Sequence, residues 1–467
     1  PNFYYGEFSS EIEIFSEPIK DKHTYQLAHK VGLVQEDFES QLFSTRAELD
    51  VAFGPENLGI PREEMAKRID SALSSVGMDE FRNREPESLS GGEKQRLAIA
   101  SVLALAPELI LFDEATTDLD PLGRDQVRAV IKKLAQEGKT VLIVDYEPEG
   151  LLLADRIVIL EKGKIIADAP GKKILREPEL LQKNGIRPLE MAELFQGLNL
   201  DADELEPEKA AAEIQQKGFQ LRAQVLDEIK KEDTEKENSR GEVIIKVDSL
   251  EHIYPNGNQA LFGIDLEVRR KDFLAIIGQN GSGKTTLVKH FNGLLSASRP
   301  ARGAVYFDGK EVRPEMISEL GKEIGYVFQN PDHQIFSSRV YDEVAFAPRN
   351  YGLSGSAIKQ RAGEALELVG LSGREDENPF LMTKGERQRL AIASILSARP
   401  RVLIFDEPTT GLDYLEQQKV MDLLKRLNEQ GNTIIIITHT LWLVAGYASR
   451  AMVMANGKKI LEGTARE

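Results

Sequence analysis

Cysteine is absent from the chain, which excludes disulfides, thiolate metal sites and iron–sulfur clusters from it. Long apolar runs are missing as well. The nearest approach, Ile434 to Ala448, is cut by Thr438, His439 and Thr440 and reads as a buried strand followed by a helix, not as a membrane span. Positive charge is in deficit, and a formal net charge of −17 argues against a nucleic-acid binder. No secretory leader opens the sequence, so the cytoplasm is the expected compartment, and no initiator Met precedes Pro1. What is present is 41% hydrophobic and 29% charged residues, the balance of a soluble globular protein. Spread over 467 residues, that is too much chain for one core and enough for two or three domains.

One stretch organises the rest. Gly278, Gln279, Asn280, Gly281, Ser282, Gly283, Lys284 and Thr285 fit the phosphate-binding loop pattern, with the short apolar run Phe273 to Ile277 before them and a helix opening at Thr286 after them. The glycines let successive backbone N–H groups turn inward around an anion, and Lys284 reaches the outer phosphates. The Thr285 hydroxyl can ligate Mg²⁺, and the helix N-terminus adds partial positive charge. The phosphates of a nucleotide, together with Mg²⁺, are therefore the expected ligands.

The sequence also repeats itself. Leu89 to Ser101 recurs as Met382 to Ser394, and Leu109 to Glu114 recurs as Val402 to Glu407, so that Ser90 pairs with Thr383 and Asp113 with Asp406 at one constant offset. Residues 1–170 are expected to form a first copy and 242–467 a second. Residues 171–241 between them are read as a packed C-terminal appendage of copy one followed by a charged, partly helical linker over 201–240. Copy one lacks a phosphate loop. On the spacing of copy two, where Lys284 precedes Gln329, its loop lysine falls before Pro1, taking Gln35 as the matching glutamine. Copy two stops where copy one continues, so the expectation is a fragment clipped at both ends.

Taken together, the motifs resemble the ABC ATPase family, and the resemblance covers both copies. Leu89 to Glu93 is similar to the family signature, Val402 to Glu407 to its Walker B strand, and His439 after Ile434–Ile437 and Thr438 to its switch histidine. The implied fold is α/β: two P-loop NTPase domains, each with a mainly parallel sheet, a small antiparallel subdomain and a helical lobe bearing the signature. Phe405-Asp406-Glu407 ends a buried apolar strand, which suits Asp406 to hold Mg²⁺ through water and Glu407 to orient and deprotonate the attacking water. His439 would contact the γ-phosphate. Gln329 resembles the glutamine that reaches both metal and water, and Tyr254 the aromatic on which adenine stacks. Thr286 completes the loop, and the nucleotide that the resemblance implies is ATP.

ABC domains pair head to tail. The resemblance therefore implies that Ser90, Gly91, Gly92 and Glu93 of copy one close over the nucleotide at Lys284, with Asp120 contributed from the turn Thr117–Asp120. The opposite site is expected to be degenerate. Asp145-Tyr146-Glu147 stands where copy two has Thr438-His439-Thr440, and Lys384 stands where copy one has Gly91.

The segments after Gln329 and Gln35, running through Val340–Pro348 and Glu48–Gly59, resemble those of the ATPase subunits of energy-coupling factor transporters. That implies integral membrane subunits docking near Gln35 and Gln329, a peripheral place on the cytoplasmic face of a prokaryotic membrane, and import of vitamins or metal ions. A second class is a soluble tandem ABC ATPase acting on ribosomes or nucleic acid. Such a protein is expected to carry a basic linker, and this one is acidic, with runs such as Asp201 to Glu204.

Overall fold

The computed structural model describes residues 11–465 except 21, 118, 202–203, 220–221, 223, 226, 229–230, 232–240 and 296–301. Part of the expected linker, including two residues of the Asp201–Glu204 run and residues 232–240, lies outside the described residues. The chain divides into two compact units, Pro1–Glu177 with Arg187–Leu189, and Pro178–Ile186 with Glu190–Glu467.

The second unit is built on a six-stranded sheet. Its order is Ile324–Val327, Val402–Asp406, Thr433–Ile437, Phe273–Gly278, Arg450–Ala455, Lys458–Thr464. The first five strands run parallel and the last is antiparallel. Ile434 to Ile437 are fully buried, which explains their unbroken apolar run: a parallel strand covered on both faces has no polar side to alternate with. A four-stranded antiparallel sheet of Lys310–Glu311, Ala304–Phe307, Val243–Ile253 and Gln259–Arg269 forms the smaller subdomain. The helices Val340–Asn350, Gly355–Leu368 and Lys384–Leu396 make the helical lobe.

The first unit repeats part of this plan. Val31–Val34, Leu109–Asp113 and Thr140–Val144 form a parallel three-stranded sheet, and Arg156–Glu161 with Lys164–Pro170 form a separate antiparallel pair. Among the described residues of this unit, no strand takes the place that Phe273–Gly278 holds in the second. Leu142 is 51% and Val144 48% exposed, whereas Ile435 and Ile437, their counterparts, are fully buried.

Two glycines show how closely the edge strands match. A Cβ on Gly32 would lie 2.3 Å from Val102 Cγ1, and one on Gly325 would lie 2.3 Å from Ile395 Cγ2. In each unit the signature helix packs directly on bare backbone. The appendage departs from expectation. The helix Gly171–Leu175 belongs to the first unit, but Pro178–Lys183 and Glu190–Gly197 belong to the second, with Leu181 and Phe195 fully buried. A backbone hydrogen bond fixes the stretch there: Tyr414 N–H donates to the Gly185 carbonyl at 3.0 Å.

Candidate nucleotide site and family

The loop Gly278–Gly283 joins the central strand to the helix Lys284–Phe291. Gly283 has φ 95°, and a Cβ there would lie 2.7 Å from the Ala260 carbonyl oxygen, so only glycine fits the turn. Lys284 is buried and folds back to donate to the carbonyls of Gly278 at 2.8 Å and Gln279 at 2.9 Å. Ser282 Oγ is buried without a hydrogen-bond partner, an arrangement that an anionic oxygen in the loop would satisfy.

Thr285 Oγ1 donates to the Asp406 carboxylate at 3.0 and 3.2 Å, and Tyr326 Oη donates to Asp406 Oδ2 at 2.7 Å. Burial pushes the Asp406 carboxyl above its ordinary range, with the Tyr326 and Thr285 bonds pulling the other way. These hard oxygen donors beside a phosphate loop fit Mg²⁺, whose charge would relieve the buried carboxylate.

Glu407 follows with φ 46°, its N–H bonded to the Ile437 carbonyl at 2.9 Å. Three side chains converge on it. Gln329 Nε2 donates to Oε2 at 3.2 Å, Thr410 Oγ1 donates to Oε2 at 3.3 Å, and His439 Nδ1 stands 3.4 Å from Oε1. Burial alone would raise this carboxyl, but the contacts from His439, Lys284 and Thr410 outweigh it and hold Glu407 below its usual range. A buried glutamate kept ionised and aimed by neighbours is equipped to take a proton from water.

Tyr254 sits before the turn at Asn256 and Gly257, and its hydroxyl shares a hydrogen bond with Thr286 Oγ1 at 2.9 Å. The His252 ring meets the Tyr254 ring edge-on at 4.6 Å. The residues expected from phosphate loop to switch histidine thus assemble in one unit.

The family model of the ABC transporter matches residues 5–117 and 261–410. The chain belongs to the ABC transporter family. A relative from Caldanaerobacter subterraneus subsp. tengcongensis, named as an ABC transporter ATP-binding protein, is 47% identical over 471 residues, 100% of this chain and 82% of that protein. Another from Methanosarcina acetivorans, similarly named, is 38% identical over 99% of this chain and 77% of that protein. Among solved structures, cbiO1 from Clostridium perfringens, part of the ABC transporter complex cbiONQ, is 39% identical over 48% of this chain and 89% of that one, with a TM-score of 0.45.

The first ABC unit differs from the second at several of these positions. Asp113 and Glu114 are retained, and Glu114 has the same left-handed backbone, with φ 47° and its N–H on the Val144 carbonyl at 2.9 Å. Tyr146 replaces the histidine and bonds to Thr117. Burial pushes the neighbouring Asp145 up to about 6. Glu147 is held by Arg124 at 3.3 Å and Arg187 at 4.0 Å, and Arg187 also pairs with Glu149.

One assignment is corrected by register. Val31–Val34 pairs with Leu109–Phe112 as Ile324–Val327 pairs with Val402–Phe405, and Gln35 N–H donates to Gln41 Oε1 at 3.1 Å just as Phe328 N–H donates to Gln334 Oε1 at 3.2 Å. Gln35 therefore matches Phe328, and the counterpart of Gln329 is Glu36. A carboxylate stands where the second unit has a neutral amide.

Ser90 caps the helix Gly91–Leu103 through a reciprocal box with Glu93: its N–H donates to Glu93 Oε2 at 2.8 Å, and its Oγ accepts from Glu93 N–H at 3.4 Å. Gly91 leaves open space beyond its Cα, and a Cβ on Gly92 would come 3.6 Å from Gly123. Asp120 caps the helix Pro121–Gln136, accepting from Gly123 N–H at 2.8 Å. In the second unit, Lys384 runs over the turn that follows Walker B, where a Cβ on Gly411 would lie 2.0 Å from Nζ.

Sequence reasoning missed two buried acids. Glu343 Oε2 accepts from Phe336 N–H at 3.1 Å and Ser337 N–H at 2.9 Å. Asp50 Oδ1 accepts from Phe43 and Ser44 N–H, both at 3.1 Å. Each acid pins a loop whose phenylalanine packs edge-on against a helix phenylalanine: Phe336 on Phe346 at 4.7 Å, Phe43 on Phe53 at 4.6 Å. All four rings are exposed. The recurrence of an acid on the helix at a fixed distance after an exposed aromatic was the available signal.

Proposed function

We propose that the chain is the ATPase subunit of an energy-coupling-factor-type importer of vitamins or metal ions, with one competent nucleotide site and one degenerate site. The observation that carries the reading is the convergence of Gln329, Thr410 and His439 on the Glu407 carboxylate, next to the Thr285–Asp406 pair.

Mg²⁺, when bound, supplies charge that neutralises the β- and γ-phosphates. Thr285 and Asp406 would hold it, Asp406 through water, with Gln329 reaching toward it. Lys284 and the loop amides cradle the phosphates, Tyr254 stacks on adenine, and Glu407 takes the proton of the attacking water while His439 and Gln329 fix its orientation. The head-to-tail rule of the family gives Ser90, Gly91 and Gly92 the role of a signature lid over a bound nucleotide, with Asp120 on the turn beside it.

The other site keeps Asp113 and Glu114 but has Tyr146, Glu36 and Lys384 where its working counterpart has an imidazole, an amide and a glycine. Losing one preorganised group typically costs ~10²–10³ in rate, so three such changes leave that site nearly inert. The exposed aromatic pairs Phe43–Phe53 and Phe336–Phe346 are suited to anchor helices of integral membrane subunits, in keeping with a peripheral place at the cytoplasmic face of a membrane. No helix among the described residues is itself long and apolar enough to cross one.

The test is co-expression with the membrane proteins encoded beside it. ATP turnover is expected to rise when they are present and the complex to survive purification in detergent. Phe43→Asp combined with Phe336→Asp should abolish both effects while leaving the turnover of the isolated chain unchanged. A complex that persists in the double variant would defeat the docking assignment.

A further inference from the structure

Tyr326 lies on the edge strand Ile324–Val327, in register with Ile404 of the Walker B strand, and its hydroxyl donates to Asp406 Oδ2 at 2.7 Å. The ring is 7% exposed and packs edge-on against Phe328 at 5.1 Å, so its position is set by the core and not by the hydroxyl. Asp406 receives a second side-chain bond, from Thr285 Oγ1. Two donors arriving from different elements leave the carboxylate one orientation, facing the phosphate loop.

We propose that Tyr326 is a positioning residue whose hydroxyl holds Asp406 toward Thr285 and so preorganises this pair for a divalent cation at the nucleotide site. The inference rests on the ATPase reading above, because it assigns Asp406 to the metal. A phenol hydroxyl has one proton to give, and here it is directed at Asp406 Oδ2. The register sets Leu33 at the corresponding place in the first unit, so the retained Asp113 there has no matching hydroxyl. The two units share the carboxylate and differ in what aims it. Groups that orient a metal-binding side chain typically contribute 10–100-fold in metal affinity.

The experiment uses the full chain with Tyr326→Phe, which removes one oxygen and leaves the ring. Binding of a fluorescent ATP analogue is measured in EDTA and then against rising Mg²⁺. The expected result is metal-free binding within about twofold of the wild type, with the Mg²⁺ concentration for half-maximal tightening raised about 10–100-fold. Tyr326→Leu, which copies the first unit, should give the same Mg²⁺ shift. In an Asp406→Asn background, adding Tyr326→Phe should change the Mg²⁺ midpoint by less than twofold. An unchanged midpoint, or an equal loss of binding in EDTA, overturns the proposal. A wild type that binds Mg²⁺ and nucleotide yet turns over no ATP sinks the ATPase reading while leaving this comparison readable.

Discussion

His439 Nδ1 stands 3.4 Å from Glu407 Oε1. At the matching position of the first unit, Tyr146 bonds to Thr117. Under the proposed function, this contact is what lets the second unit aim its glutamate at water. Replacing His439 by Ala should lower the turnover of ATP by about 10²–10³ while changing nucleotide affinity only a few-fold, because the loop and Tyr254 hold the ground state. Steady-state ATPase assays beside equilibrium binding separate the two quantities, and a variant that loses affinity instead of turnover would assign His439 to binding.

Asp145 gives the first unit a pH-dependent stability of predictable sign. Burial raises its carboxyl from 3.8 to about 6, so between those values the folded chain keeps a proton that the unfolded chain has released. Stability from this group therefore falls as pH rises from about 4 to about 6 and stays reduced above that, by about 3 kcal/mol in all. Asp145→Asn keeps the oxygen that accepts the Glu147 N–H and should restore most of that stability at neutral pH. Urea unfolding at pH 4 and pH 7.5 checks this, and a variant less stable than wild type at pH 7.5 would contradict it.

Glu343 supports an aromatic anchor that it does not itself form. Glu343→Ala removes the acceptor of the part-buried N–H groups of Phe336 and Ser337 and should cost about 1–3 kcal/mol, whereas Glu343→Gln keeps an accepting oxygen and should cost much less. Thermal unfolding ranks the three proteins, and amide exchange at residues 336–337 should accelerate in the Ala variant alone.

Much of this was legible before any coordinates. Glycine spacing, Lys284 and the flanking strand and helix fixed the phosphate loop, and four buried isoleucines before Thr438 marked the strand ending at His439, because each of these patterns has one physical use. Register was harder. Gln35 and Glu36 are adjacent and polar, and only the pairing of Val31–Val34 with Leu109–Phe112 decides which of them follows the strand as Gln329 does. The buried acids Asp50 and Glu343 looked like ordinary charges in the first turn of a helix; their partners are loop amides, which a linear sequence does not display. The appendage was also misread. A packed segment was expected on copy one, but the burial of Leu181 and Phe195 falls with the second unit, and a linear sequence does not show against which surface a segment packs.

Hydrolysis is assigned to one glutamate of two, although Glu114 and Glu407 follow equivalent strands of the two units with the same left-handed backbone. Steady-state ATPase of Glu407→Gln and Glu114→Gln tests it most directly. The account predicts a loss of at least about 10²-fold for Glu407→Gln and less than about threefold for Glu114→Gln. Equal losses in the two variants would contradict it.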